Sequence, residues 1–153
     1  INVVANDLLK IELKSNKKEK WFRSSNKKRG DYVDRLLKIK SIPYISFYYS
    51  IYKNRDSYKE LIASNVAKSI INHTKSKSYK VKINLDKDTR STLDKIRSEI
   101  KKYRIKYQKI RGVSEDKDPN IRLADAICGL IRDLDNTNIP KSYKALFKKL
   151  KAI

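Results

Sequence analysis

An aspartate on an amphipathic helix is the first residue of this sequence that could do chemistry. Asp125 lies in the segment Gln108 to Asp135, downstream of Asp118-Pro119-Asn120, where a capping acid followed by proline predicts a helix start. Spacings of three and four residues place Arg122, Asp125 and Gly129 on one face of this helix. Because glycine has no side chain, that face leaves room for a bulky group, such as a metal-bound phosphate, beside the carboxylate. The alternative is a solvated aspartate on the helix surface.

A second acid ends a predicted strand. Apolar and polar residues alternate from Tyr79 to Asp86, which is typical of a strand with one apolar face. Ligands of open α/β sheets gather at the carboxyl ends of the strands, so the carboxylate of Asp86 is well placed for chemistry. The other interpretation is a turn or capping role before the helix that we expect from about Asp88 to Tyr103.

The elements that must position these acids alternate along the chain. Helices are expected from Gly30-Asp31, from Asp56 to Ile71 and after Ile139-Pro140, and a short strand from Ile105 to Ile110. Ile42 to Tyr52 is almost continuous in β-branched and aromatic residues, which predicts an interior strand covered on both faces, although such a stretch can also stack on bases. The N-terminal 13 residues fit either a helix or a strand. Alternation of this kind predicts an α/β layer structure with parallel pairings.

The segment around Asp125 resembles the C-terminal signature of the family called domain of unknown function 3800. One branch of that family carries the pattern RGVRDE…P…RLADAIAG…RD. The matching parts here are Arg111-Gly112-Val113, the stretch PNIRLADAICG from Pro119 to Gly129, and Arg132-Asp133. Near the N-terminus, Glu12-Leu13-Lys14 is similar to the Glu-x-Lys segment of the family.

The resemblance implies a fold and a metal site. The family is similar to ribonuclease H-like nucleases, so we expect an α/β, three-layer arrangement with a partly parallel sheet flanked by helices. Its acidic residues are thought to hold divalent metal, which makes Glu12, Asp86 and Asp125 the candidate catalytic residues and metal ligands. Mg²⁺ or Mn²⁺ suits oxygen ligands, and two such ions would activate water and stabilise the leaving oxygen.

The N-terminal part departs from the family pattern. Family members open on a strand with an Asp-Glu pair, whereas here Asp7 follows Asn6. The first strands, and with them one metal-bridging acid, are therefore expected to be missing. The sequence also lacks methionine, even at position 1. Both observations predict a single domain over residues 1–153 that is a fragment of a longer protein and is inactive as it stands.

The charge of the chain indicates its partner. A net charge of +21 favours a polyanion, foremost nucleic acid, through neutralisation of phosphates and release of counterions. A bias toward A- and T-rich codons is the competing explanation for the lysines, and it predicts charge spread evenly over the surface. Our candidates for contacts to nucleic acid are five basic residues: Lys14, Arg111, Arg122, Lys144 and Lys148. The lysines of the last helix could equally form a solvated face.

Other classes of protein are disfavoured by composition. One cysteine, Cys128, excludes an internal disulfide framework and is expected to pack as a small apolar residue. His73 is the single histidine, so a zinc site is not expected. The sequence shows no apolar run that could span a bilayer and no secretory signal, which predicts a cytoplasmic protein without a membrane partner.

Two functions from different classes follow. The first is a metal-dependent nuclease domain of the ribonuclease H-like type that acts on DNA or RNA. The second is a non-catalytic, basic nucleic-acid-binding module of a larger complex, such as a ribonucleoprotein or a phage-defence assembly, whose protein partners the sequence does not identify. Convergence of the carboxylates of Glu12, Asp86 and Asp125 at one end of a sheet would favour the nuclease.

Overall fold

The computed structural model describes residues 2–53, 58–75, 78–86 and 90–153, which form a mixed α/β structure. The helices are α1 (Val3–Ser15), α2 (Asn26–Leu36), α3 (Tyr58–Thr74), α4 (Arg90–Lys102), α5 (Pro119–Asp133) and α6 (Lys141–Phe147). The strands are β1 (Phe47–Tyr49), β2 (Lys82–Asp86), β3 (Lys109–Val113) and β4 (Leu150–Ala152). Single 3₁₀ turns lie at Trp21–Arg23, Ile42–Tyr44 and Glu115–Lys117. The expected helix starts at Asp56 and Asp88 lie outside the described residues.

The chain divides into two compact units. Unit 1 comprises Ile1–Phe47 and Ser114–Leu150, and unit 2 comprises Tyr48–Val113 and Lys151–Ile153. Among the described residues, no helix combines the length and the apolar character needed to cross a membrane.

Unit 1 is a helical unit built on local capping signals. The side chain of Asn2 accepts a hydrogen bond from the backbone N–H of Ala5 and starts α1 as a helix, one of the two structures that its sequence allowed. The carboxylate of Asp118 accepts the N–H of Asn120 at 2.8 Å and caps α5, with Pro119 in the first turn, as predicted. Helix α1 packs on α2 and α5, and α2 packs on α6. Their shared core contains Leu8, Ile11, Trp21, Tyr32, Val33, Leu36, Leu123, Ala126, Ile127, Leu130, Tyr143 and Leu146.

Unit 2 contains a parallel β-α-β element. Strands β2 and β3 are joined through α4 and pair in parallel, with Lys82 opposite Lys109 at one end and Asp86 opposite Val113 at the other. Helices α3 and α4 pack against each other. Side chains from both helices and from one face of the strand pair form the core: Ala63, Ala67, Val81, Ile83, Ile96, Ile100, Ile105 and Ile110.

Three predicted elements are corrected. The short strand expected from Ile105 to Ile110 begins later, at Lys109, and ends at Val113. The interior strand expected from Ile42 to Tyr52 is wrong: this stretch begins with a 3₁₀ turn that contains Pro43, and only Phe47–Tyr49 forms a strand, paired with β4 in a two-stranded sheet. Proline fixes φ and lacks the N–H that an interior strand must donate. The apolar residues Ile42, Ile45 and Phe47 pack on the helical core of unit 1 instead. The helix expected at Gly30-Asp31 begins four residues earlier, where the Ser25 side chain caps α2.

Candidate functional site

Arg122, which begins the stretch Arg122-Leu123-Ala124-Asp125 of α5, forms a buried ion pair with Glu12 of α1. Its Nε donates to Glu12 Oε1 at 2.7 Å and its Nη2 donates to Oε2 at 2.8 Å, while Nη1 donates to the carbonyl oxygen of Glu115 at 2.6 Å. Arg122 is 5% exposed and Glu12 is 4% exposed. The hydrogen bonds to Glu12 raise the pKa of Arg122. Two of the sequence candidates thus bind each other inside unit 1 and neutralise each other there.

Asp125 and Gly129, one turn apart on α5, hold Trp21. The backbone N–H of Trp21 donates to Asp125 Oδ2 at 2.8 Å, and its indole Nε1 donates to Asp133 Oδ2 at 2.6 Å. The indole covers Gly129 so closely that a Cβ on this glycine would lie 2.2 Å from ring carbon atoms. The room that the sequence indicated beside Asp125 is therefore occupied by a side chain of the protein itself.

Two cations contact the indole of Trp21. Arg29 lies with its guanidinium carbon 5.3 Å from the ring centre and donates from Nε to the Trp21 carbonyl oxygen at 2.7 Å. Lys17 Nζ lies 5.7 Å from the Trp21 ring and 4.9 Å from the Tyr32 ring. Burial lowers the pKa of Lys17, although the carboxylate of Asp125 opposes this shift. These cation–π contacts hold the indole against α2 and the segment that follows α1, while Asp125 and Asp133 hold it on α5.

The three acids predicted to share a metal are distributed over both units. Glu12 and Asp125 belong to unit 1, where each already accepts hydrogen bonds from protein groups. Asp86 is exposed at the carboxyl end of β2 in unit 2, as its position in the strand predicted. In the part of the chain that the structure describes, no group of three or more His, Cys, Asp or Glu side chains is arranged to hold a metal ion. Binding of Mg²⁺ or Mn²⁺ stays a prediction.

The strand pair of unit 2 exposes a basic surface, which we call the basic sheet face: Lys82, Asn84, Lys109 and Arg111. Paired residues of neighbouring strands project from the same side of the sheet, and Ile83 and Ile110 on the opposite side are buried in the core. Lys82 and Lys109 are therefore side by side in the register, and both are exposed. Arg111 is exposed as well and donates from Nε to Asn84 Oδ1 at 3.1 Å.

The cations of the basic sheet face have no acidic partners among the described residues. Lys82, Lys109 and Arg111 form no ion pair with a carboxylate of residues 2–53, 58–75, 78–86 or 90–153. Asp86 lies on the same side of the sheet, opposite Val113. The sequence of unit 2 contains 19 Lys and Arg against 6 Asp and Glu, whereas that of unit 1 contains 19 against 11. The excess of positive charge is thus larger in unit 2.

The five basic residues predicted to contact nucleic acid differ in their surroundings. Lys14, Lys144 and Lys148 are exposed in unit 1, and Arg111 is exposed in unit 2. Arg122 is buried, and the ion pair described above engages its guanidinium. Sequence reasoning missed Lys82 and Lys109. The alternation along Tyr79 to Asp86 was the available signal for Lys82, but the lateral pairing with Lys109 requires the register of the parallel strands.

Comparisons with family models, with curated proteins and with solved structures each found no match to this chain.

Proposed function

We propose that this protein is a non-catalytic nucleic-acid-binding module and that the basic sheet face is a principal contact surface. The observation that carries the proposal is the side-by-side placement of two exposed lysines, Lys82 and Lys109, without acidic partners among the described residues. Like charges directly opposite each other on neighbouring strands destabilise a sheet. A bound phosphate replaces this repulsion with attraction and releases condensed counterions.

The burial of Glu12 supports binding over catalysis. A metal ligand must expose its carboxylate oxygens to the ion, but both oxygens of Glu12 accept hydrogen bonds from Arg122. Removing one partner of a buried ion pair leaves an uncompensated charge and destabilises the fold by about 3–5 kcal/mol. A metal ion that bound Glu12 would therefore have to displace a strong internal interaction. The hydrogen bond from the Trp21 N–H likewise gives Asp125 a structural role.

A ribonuclease H-like nuclease remains the second candidate, and Asp86 is the residue that favours it. Its carboxylate lies at the carboxyl end of a parallel strand, on the same side of the sheet as the phosphate-binding cations. A divalent ion held there could act on a bound backbone. The ribonuclease H-like arrangement implied by the sequence resemblance, with Mg²⁺ or Mn²⁺, belongs to this candidate.

Fluorescence anisotropy with labelled oligonucleotides tests the proposal. We expect affinity to fall steeply as salt rises, with a slope of about −0.7 per contacted phosphate for single strands and about −0.9 for duplexes in a double-logarithmic plot. No binding at low salt, or affinity that does not respond to salt, would contradict it. The same oligonucleotides incubated with Mg²⁺ or Mn²⁺ should remain intact. Cleavage that disappears in Asp86→Asn would instead establish the nuclease.

A further inference from the structure

We propose that the basic sheet face holds one backbone phosphate of a nucleic acid in the fork of the Arg111 guanidinium, and that Asn84 is the residue that positions this fork. This inference rests on the proposed function and adds the geometry of a single phosphate site. It is drawn from one hydrogen bond across the strand pair and from the charges that the register places around it.

Asn84 and Arg111 are direct neighbours across the parallel strand pair. They are register partners, so their side chains project from the same side of the sheet, and Arg111 Nε donates to Asn84 Oδ1 at 3.1 Å. In the described parts of the chain, neither Nη1 nor Nη2 of Arg111 donates to an acceptor. A guanidinium that is held at Nε keeps the edge formed by Nη1 and Nη2, and with this edge arginine binds two oxygens of one phosphate.

The charges on either side of this fork determine where the phosphate lies. The lysine pair, Lys82 and Lys109, is two residues earlier on the two strands, about 7 Å away on the same side of the sheet. Asp86 lies two residues beyond Asn84 in the opposite direction, also on this side. An anion is attracted by the lysines and repelled by the aspartate, so the phosphate is expected between Arg111 and the lysine pair.

Asn84 lowers the entropic cost of binding the phosphate. An exposed arginine without a partner samples many rotamers, and a ligand that binds it must restrict them. The hydrogen bond to Asn84 restricts the Arg111 side chain before the ligand arrives. The amide oxygen is a neutral acceptor, so it orients the guanidinium without neutralising it, whereas a carboxylate at this position would also repel the phosphate.

The test compares the affinity of Asn84→Val and Arg111→Lys for oligonucleotides with that of the wild type. Asn84→Val removes the acceptor and keeps a residue type that favours strands, and we expect it to weaken binding about threefold to tenfold. Arg111→Lys keeps the charge but replaces the fork by one ammonium group, so affinity should fall by a similar factor while the salt slope stays that of the wild type. Arg104→Lys is the matched control, since Arg104 is also exposed in unit 2 but follows α4, and it should bind as the wild type does.

A double-mutant cycle separates positioning of Arg111 from a general effect on the strand. In the Arg111→Lys background, Asn84→Val should not lower affinity further, because no fork is left to orient. Equal losses in both backgrounds would show that Asn84 acts on the strand rather than on Arg111, and would overturn the inference. Wild-type affinity in the single variant Asn84→Val would overturn it as well.

The outcomes for the phosphate site and for the proposed function are distinguishable. Phosphate contacts carry no sequence information, so the loss in Asn84→Val should be the same on oligothymidine, oligoadenine and guanine-containing strands. A loss confined to guanine-containing strands would mean that Arg111 reads a base edge, and would overturn the phosphate assignment while binding itself stands. Absence of binding to every oligonucleotide by the wild type overturns the proposed function.

Discussion

Glu12→Gln distinguishes a structural glutamate from a metal ligand. The substitution keeps the shape of the side chain but removes the charge that neutralises Arg122, which is 5% exposed and donates two hydrogen bonds to the Glu12 carboxylate. The remaining acceptor, the carbonyl oxygen of Glu115, carries no net charge. Breaking a buried pair from one side costs about 3–5 kcal/mol. For a chain of this size each kcal/mol lowers Tm by about 2–4 °C, so we expect a loss of about 6–20 °C.

Urea denaturation followed by tryptophan fluorescence measures the decrease in the free energy of unfolding. Trp21 is the single tryptophan and is buried in unit 1, so its emission reports on the unit that contains the ion pair. Asp31→Asn is the matched control: Asp31 pairs with Arg35 at 3.0 Å on the surface of α2, where such a pair contributes about 0.3–0.5 kcal/mol.

A double-mutant cycle completes the test of the ion pair. Glu12→Leu combined with Arg122→Met removes both charges, so the double variant should recover most of the stability that either single substitution loses. If Glu12→Gln destabilises unit 1 no more than Asp31→Asn does, Glu12 is not a structural partner of Arg122. If it leaves stability unchanged but abolishes a metal-dependent cleavage, the nuclease assignment of Glu12 is correct.

Three further predictions concern the surroundings of Trp21 and the ionisable groups of unit 1. Gly129→Ala should destabilise unit 1 by about 1–3 kcal/mol and shift Trp21 emission to the red, because the new methyl group displaces the indole, whereas Gly30→Ala should be neutral or stabilising by up to about 1 kcal/mol. Burial raises the pKa of Tyr143 to about 12, so its contribution to stability is complete below pH 10 and is lost as the pH rises toward 12; Tyr143→Phe should flatten this loss in urea melts at several pH values. Cys128 is exposed, so the packed apolar role expected from the sequence is wrong, but desolvation by the surrounding groups and the carboxylate of Asp125 still raise the pKa of its thiol, and iodoacetamide should alkylate it at pH 8 more slowly than it alkylates a free cysteine.

Each of these predictions has a contradicting result. Equal effects of the two glycine substitutions would mean that the indole does not cover Gly129. A Tyr143→Phe variant with the same stability loss between pH 10 and 12 as the wild type would assign that loss to other groups. Alkylation of Cys128 at the rate of a free thiol would show that its pKa is not raised.

Local patterns predicted most helices and the strand β2, because their signals lie within one element, whereas the strand expected from Ile105 to Ile110 lies at Lys109–Val113. The apolar spacing and the Asp118-Pro119 start defined α5, and alternation defined β2; both were confirmed. The prediction of an interior strand from Ile42 to Tyr52 was wrong because apolar residues indicate that a segment is buried but not which backbone conformation it adopts. These side chains pack at the edge of a helical core, and Pro43 prevents a long strand there.

The candidate site could be predicted only as far as its own helix. The sequence indicated that Asp125 and Gly129 leave room for a bulky group, and the structure fills this room with Trp21, which is 104 residues away from Asp125 along the chain. The pairing of Glu12 with Arg122 spans 110 residues. Spacing within one sequence carries no information on such long-range partners, so an acid that binds a metal and an acid that holds a neighbouring element look alike.

The most direct test of nucleic-acid binding through the basic sheet face compares two charge-matched double variants. The first variant, Lys82→Glu with Lys109→Glu, alters the basic sheet face. The second, Lys144→Glu with Lys148→Glu, makes the same change of charge at two lysines that the sequence analysis had proposed as contacts to nucleic acid. Two phosphate contacts at about 0.15 M salt contribute about tenfold in affinity. We predict that single-strand affinity, measured by anisotropy, falls at least tenfold further in the sheet-face variant than in the other one. Equal losses in both variants would show that net charge alone determines binding, and would contradict a contact surface at Lys82 and Lys109.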